Sequence, residues 1–165
     1  QGKYKIDAGH STTIYNGETV KISSGYVVGG NGSAADIIGV LNGIFFNAAD
    51  TNKPTFSNFY KATITPANSE DTTAFVIDDP FQQYVVAADA ATGVTTFLET
   101  YDMNTSAGSD TTGKSSATLD IGTTSANGKQ FRMLRSAEDP DNEDATAAFH
   151  SVVVVSTLNS FNGHN

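Results

Sequence analysis

Along the chain, apolar residues come in short runs cut by turn-forming residues, the pattern of strands rather than of long helices. Residues 12–15 and 19–22 flank Asn16-Gly17, a pair that accepts positive φ at both positions, so they predict a two-residue hairpin. Residues 25–28 form the next candidate strand, ahead of a Gly/Asn/Ser loop at 29–33. Residues 37–46 are a long apolar run broken by Gly39 and Gly43, and glycines so placed predict a bulge or a sharp bend. Further strands are predicted at 55–64, ended by Pro66, and at 74–77 and 83–88, which Asp78-Asp79-Pro80 separates.

Helical spacing occurs once: Val94, Phe97, Leu98 and Tyr101 fall at i, i+3, i+4 and i+7 and predict a helix of about two turns. After a Ser/Thr/Gly loop at 104–116, Ala117, Leu119 and Ile121 alternate as in a half-buried strand. Asn127-Gly128 then turns into a strand at 131–134, and an acidic loop at 138–144 follows. Val152 to Val155 are four consecutive valines, suited to a strand buried on both faces. Residues 1–11 and 159–165 are polar and lack core patterning, so they predict an N-terminal arm and a flexible C-terminal tail around one β-domain at 12–158. The pattern shows no repeat of fixed period. The expected fold is all-β, a small barrel or sandwich with one short helix and extended termini.

Composition sharpens this. Thr, Ser, Asn and Gly fill 64 of 165 positions, a mixture of strand and turn formers. Nine basic residues face eighteen acidic ones, a net charge of −9. Phosphate-backbone binding needs a basic footprint, so nucleic acid is excluded as a partner, and an anionic membrane surface is a poor one for the same reason. No stretch approaches the length of a membrane-spanning helix, and the polar start at 1–6 shows no signal peptide. The chain has no cysteine, which removes disulfides and thiolate chemistry and leaves the compartment open.

Candidate chemistry is sparse. Residues 108–115, Gly-Ser-Asp-Thr-Thr-Gly-Lys-Ser, match the phosphate-loop pattern G-x-x-x-x-G-K-[ST]. That loop needs a buried strand before it and a helix directly after it, and the flanking sequence predicts neither. Phe75-Val76-Ile77-Asp78 resembles a magnesium-holding strand end but stands in the wrong order. His10, His150 and His164 lie far apart, with no nucleophile elbow and no metal-ligand spacing, and read as surface or strand-end residues. The acidic run at 138–144 carries oxygen ligands suited to calcium but lacks a calcium loop's glycine and spacing, so a solvated loop is expected. Asp78 and Asp79 are adjacent on an extended chain and point apart, which fits a turn better than a catalytic pair. The aromatics crowd the first half and include no Trp; most are expected in the core. No catalytic, cofactor-binding or metal-binding residue is assigned.

A succession of segments carries a family resemblance: Tyr15-Asn16-Gly17-Glu18-Thr19-Val20-Lys21, Gly25-Tyr26-Val27, the block 39–45, Lys53-Pro54-Thr55-Phe56-Ser57, and Asp78-Asp79-Pro80. Thr112-Gly113-Lys114-Ser115 leading to Leu119-Asp120, Phe131-Arg132-Met133-Leu134, Pro140-Asp141-Asn142-Glu143 and the valine run complete it. In this order they resemble the capsid decoration, or cement, proteins of marine tailed phages, over residues 12–162. The family has a short turn where the apparent phosphate loop lies. The resemblance implies a non-enzymatic virion protein without cofactor, on the outer capsid surface, bridging major capsid subunits. A homo-oligomer is expected, a trimer first, because local three-fold axes are abundant on a shell. The rival expectation is a phage fibre or receptor-binding module that recognises a host surface glycan.

Overall fold

The computed structural model describes residues 1–32, 36–142 and 144–161. Among them the chain forms eleven strands in two antiparallel sheets, with 3-10 turns at Ala67–Ser69 and Val94–Thr96. The all-β expectation is met. In place of the single domain expected over 12–158, the chain divides into two compact units. Unit 1 comprises Gln1–Gly30, Ile38–Asp79 and Ala107–Ser116; unit 2 comprises Asn31–Ile37, Pro80–Ser106 and Ala117–Asn165.

Unit 1 holds β1 (Gly2–Ile6), β2 (Thr19–Ser23), β3 (Tyr26–Gly29), β4 (Gly39–Asn47), β5 (Pro54–Ser57) and β6 (Thr72–Ile77). The order is β1-β6-β4-β2-β3, with β5 added alongside the second half of β4. Its core is Ile6, Ile14, Val20, Val27, Ile38, Leu41, Ile44, Tyr60, Ala74 and Val76. The end strands β1 and β3 approach within 8 Å between Cα atoms, yet no ladder pairs them among the described residues, so the sheet curls without closing into a barrel.

Unit 2 holds β7 (Gln83–Ala87), β8 (Thr100–Met103), β9 (Leu119–Ser125), β10 (Phe131–Ser136) and β11 (Ser151–Ser156), in the order β7-β11-β10-β8-β9. Its core is Ile37, Ala88, Tyr101, Met103, Leu119, Phe131, Met133, Val152 and Val154. This sheet also curls, and among the described residues its two ends meet at a single bridge, Ala88 to Leu119. The valine run behaves as expected: Val152, Val153 and Val154 are all buried although Val153 faces the other way.

With β5 set aside, both sheets read first-fifth-fourth-second-third. The agreement reaches single residues. The fourth strand bulges against the fifth in both, at Asn42 in unit 1 and at Leu134 in unit 2. The residue before each bulge, Leu41 or Met133, is a core residue that pairs with Val76 or Val154. Its carbonyl accepts from Gly17 or Leu98, and its amide donates to the carbonyl of Glu18 or Glu99. Gly17 and Leu98 both have positive φ, 83° and 68°. The next residues, Thr19 and Thr100, are buried at the same register of the second strand. A repeat is therefore present in the fold where the sequence pattern shows none.

Other expectations need correction. The Asn16-Gly17 hairpin does not form. The hairpin joins β2 to β3 through Ser24-Gly25, whose φ values of 51° and 87° suit a two-residue turn that follows strand twist. Residues 12–15 contribute only a bridge from Ile14 to Tyr60, and the strand expected at 55–64 is limited to β5. The helix expected from Val94 to Tyr101 is a 3-10 turn ending at Thr96. Leu98 at positive φ stops any continuation, and Tyr101 belongs to β8. The N-terminal arm is largely a strand: β1 pairs along β6 and buries Ile6. In the expected tail, Asn159 is buried and bridges to Ile37. Ser33, Glu143, His164 and residues 162–165 lie outside the described residues.

Candidate functional site

The phosphate-loop lookalike is closed upon itself. The Ser109 amide donates to the Lys114 carbonyl at 2.9 Å, and the Gly113 amide donates to the Ser109 carbonyl at 2.7 Å. The Asn16 amide donates to Gly113, and the Ser115 amide to Asn16, so Lys114 runs parallel to Asn16 as a bridge. The Asn58 side-chain amide donates to the Thr112 carbonyl at 2.8 Å. Gly108 has no room for a side chain, since a Cβ there would lie 2.4 Å from the Tyr15 ring. Asp110 accepts from the Tyr15 hydroxyl at 2.8 Å and pairs with Lys61 at 3.5 Å; that hydroxyl is the main cause holding its carboxyl below the usual range. The Ser109, Thr112, Gly113, Lys114 and Ser115 amides are all bonded within unit 1, and no helix follows the loop.

The two described histidines, His10 and His150, are structural. His150 directly precedes β11, the strand-end position expected of it, but is fully buried rather than on the surface. Its Nδ1 stands 3.0 Å from the Ala147 carbonyl, which only accepts, so Nδ1 carries the proton. Nε2 then accepts from the Thr92 hydroxyl at 2.6 Å. Register places Thr72 of unit 1 where unit 2 has His150, and four residues past Ile6 stands His10 where four past Ala88 stands Thr92. The two residue types are exchanged between the units. In unit 1 the His10 Nε2 and the Thr72 hydroxyl are buried without a hydrogen-bond partner. Burial lowers the His10 pKa, with Asp7 opposing, and its ring lies 5.4 Å from that of Tyr60.

The acidic groups mostly serve their own loops. Asp139 accepts from the Asp141 amide, and Asp144 accepts from the amide and hydroxyl of Thr146, which lower its pKa. Among the described residues no group of three or more acidic or histidine side chains could hold a metal ion. Asp78 accepts from the Tyr4 hydroxyl at 2.8 Å. Burial pulls Asp78 upward, but this bond and the Gln1 amino group outweigh it and lower its pKa. The Tyr4 hydroxyl is pushed up to about 12 by burial and by Asp78. Unit 2 has a buried polar knot that sequence reading missed. Asp102 accepts from Lys129 at 2.9 Å and from the Gln130 amide, while Gln130 Oε1 accepts from the Met103 amide. The knot ties β8 to the residues that lead into β10, and the Asp102 amide donates to the Thr123 hydroxyl at 2.9 Å where β8 and β9 shift register.

Large apolar side chains stand exposed on both units. On unit 1 a cleft of about 470 Å³ is lined by Gln1, Lys3, Asn42, Phe56 and Phe75. The β4 bulge sets the exposed Asn42 in its lining, and Gly43 beside it lets the Phe56 ring lie across the strand, since a Cβ would meet that ring at 2.7 Å. Phe56 and Phe75 are 6.2 Å apart between centroids, and Phe56 is 65% exposed. On unit 2, Phe81, Val85, Val94, Leu98 and Phe149 are all at least 60% exposed. Composition alone could not separate these from core residues, because β-strand patterning says which residues share a face and not which face is covered. Compared with protein-family models, with curated proteins and with solved structures, the chain matches none.

Proposed function

We propose that the protein is a non-enzymatic virion component that decorates the outer surface of a tailed-phage capsid and reinforces it by bridging major capsid subunits. The observation that carries this reading is the exposure of large apolar side chains on both units of a strongly acidic chain, Phe56 on one and Phe81 and Val85 on the other. Exposed apolar area of this kind marks protein–protein contact. The ordered resemblance to decoration proteins supplies the partner. Binding only to the assembled shell stabilises it by mass action. Self-association into trimers would add contacts through effective concentration.

A second reading has its own observation. The Phe56–Phe75 cleft, with the amides of Asn42 and Gln1 and the Lys3 ammonium at its edge, has the aromatic and polar lining of a sugar site, which fits a fibre or receptor-binding module. Copy number separates the two. Quantitative mass spectrometry of purified particles is expected to find this chain in fixed proportion to the major capsid subunit. A few copies per particle, in proportion to tail proteins, would overturn decoration in favour of the fibre reading.

A further inference from the structure

The repeated topology puts one outward-facing row at the same place in each unit. In unit 1 the row across the first, fifth and fourth strands is Lys3–Phe75–Gly43, with the Phe56 ring laid over Gly43. In unit 2 the same register positions carry Val85–Val153–Arg135. Each row sets exposed apolar surface beside a single basic end, Phe56 with Lys3 in unit 1 and Val85 with Arg135 in unit 2, where Val153 between them is buried; the basic end has changed sides between the units. Exposed apolar surface marks both, with Phe56 at 65% and Val85 at 67%.

The charges are unusual for this chain. Acidic residues outnumber basic ones by eighteen to nine, yet the cations at these rows stay away from carboxylates. Arg132 and Arg135 are the chain's two arginines and both lie on β10. Among the described residues they donate only to neutral acceptors, the Leu98 and Ser136 carbonyls and Asn127 Oδ1, and the Lys3 side chain makes no hydrogen bond or ion pair. A cation held beside exposed apolar side chains and left without a carboxylate complements a surface that offers both.

We infer that these two rows are the contact faces of the protein, each taking a protein surface with apolar side chains flanked by carboxylates. Resting on the decoration reading, that surface belongs to the capsid subunit, and a repeated shell offers the same patch to both rows. The faces diverged in which strand bears the cation while keeping the row itself.

The test uses full-length protein and capsids stripped of it, at matched ionic strength. Lys3→Glu and Arg135→Glu are each expected to weaken binding about tenfold, and the double variant by up to the product of the two, about a hundredfold. Lys53→Glu, an exposed loop residue away from both rows, is the control for net charge and is expected to bind as wild type. Circular dichroism establishes that each variant is folded. Wild type that binds, with a double variant that binds equally, overturns the faces and leaves the decoration reading standing. Wild type that leaves the shells bare overturns both, as does wild type captured by a bacterial surface oligosaccharide instead. A double variant that keeps its shell occupancy but changes sedimentation of the free protein assigns the rows to contacts between copies and overturns the capsid as their occupant.

Discussion

At the fourth-strand bulge, unit 1 sets Asn42 before Gly43, and unit 2 sets Leu134 before Arg135. None of these residues resembles its counterpart, yet the backbone makes the same detour. One position earlier the units agree in character: Leu41 and Met133 are both buried and both bonded to the loop that leads into the second strand. That loop keeps Glu18-Thr19 in one unit and Glu99-Thr100 in the other. The difference teaches which features this fold requires. Buried volume and register are kept, since cores tolerate exchange of similar apolar residues. Outward positions are free to change, and they did: lysines on β1 stand where β7 has Val85 and Ala87.

The largest expected effects probe the shared core. Leu41→Ala and Met133→Ala should each cost about 2–5 kcal/mol, since both remove a fully buried side chain at the same structural position. Hydrogen exchange resolved by segment checks it: Leu41→Ala should raise exchange across β4 and β6, and Met133→Ala across β10 and β11. A loss confined to one of the two variants would break the equivalence.

Backbone strain gives the next contrast. Gly39 has φ 151°, and a Cβ there would stand 2.0 Å from the Ile77 carbonyl oxygen, whereas Phe131 at the same register carries a full side chain. Gly39→Ala should therefore destabilise by about 1–3 kcal/mol in urea unfolding. A neutral result would mean that the two fourth strands begin alike.

The exchanged His–Thr positions sharpen the comparison further. Thr92→Val leaves the buried His150 Nε2 without its donor and should cost about 1–3 kcal/mol. Thr72→Val removes a buried hydroxyl that has no partner and should be neutral or stabilising by the same unfolding assay. Equal costs would contradict the assignment.

The smallest effect lies at high pH. Tyr4 holds its proton to about 12 when folded, against an ordinary value of 10.0. The unfolded chain loses that proton first, so stability falls as pH rises from 10 through 12. Tyr4→Phe should flatten that part of the stability profile, and the corresponding Val86→Phe in unit 2 should not.

Apolar runs made β4, β6, β7, β10 and β11 legible, because each supplies core residues in a continuous or alternating pattern. β1 was hidden by its own lysines. Tyr4 and Ile6 turn inward in alternation with the exposed Lys3 and Lys5, and so short an alternation at a polar start reads as a polar arm. The helix expectation failed because Val94, Phe97, Leu98 and Tyr101 share a spacing without sharing an element; one is in a turn, one at positive φ and one in a strand. The repeat was invisible because equivalents are about 81 residues apart in the second strand, Thr19 to Thr100, but Val76 and Val154 are closer. Loops of different length erased the period. At the candidate faces, Phe56 and Val85 could be named as apolar, but only the pairing of strands shows that they lie uncovered.

The most direct measurement is electron cryomicroscopy of the intact particle at a resolution that traces strands. The account predicts density for this chain repeated over the outer shell, with the faces bearing Lys3 and Phe56 and bearing Val85 and Arg135 turned toward carboxylate-bearing patches of the capsid subunit. Density confined to tail fibres, or a shell contact made through other faces with both rows open to solvent, would contradict it.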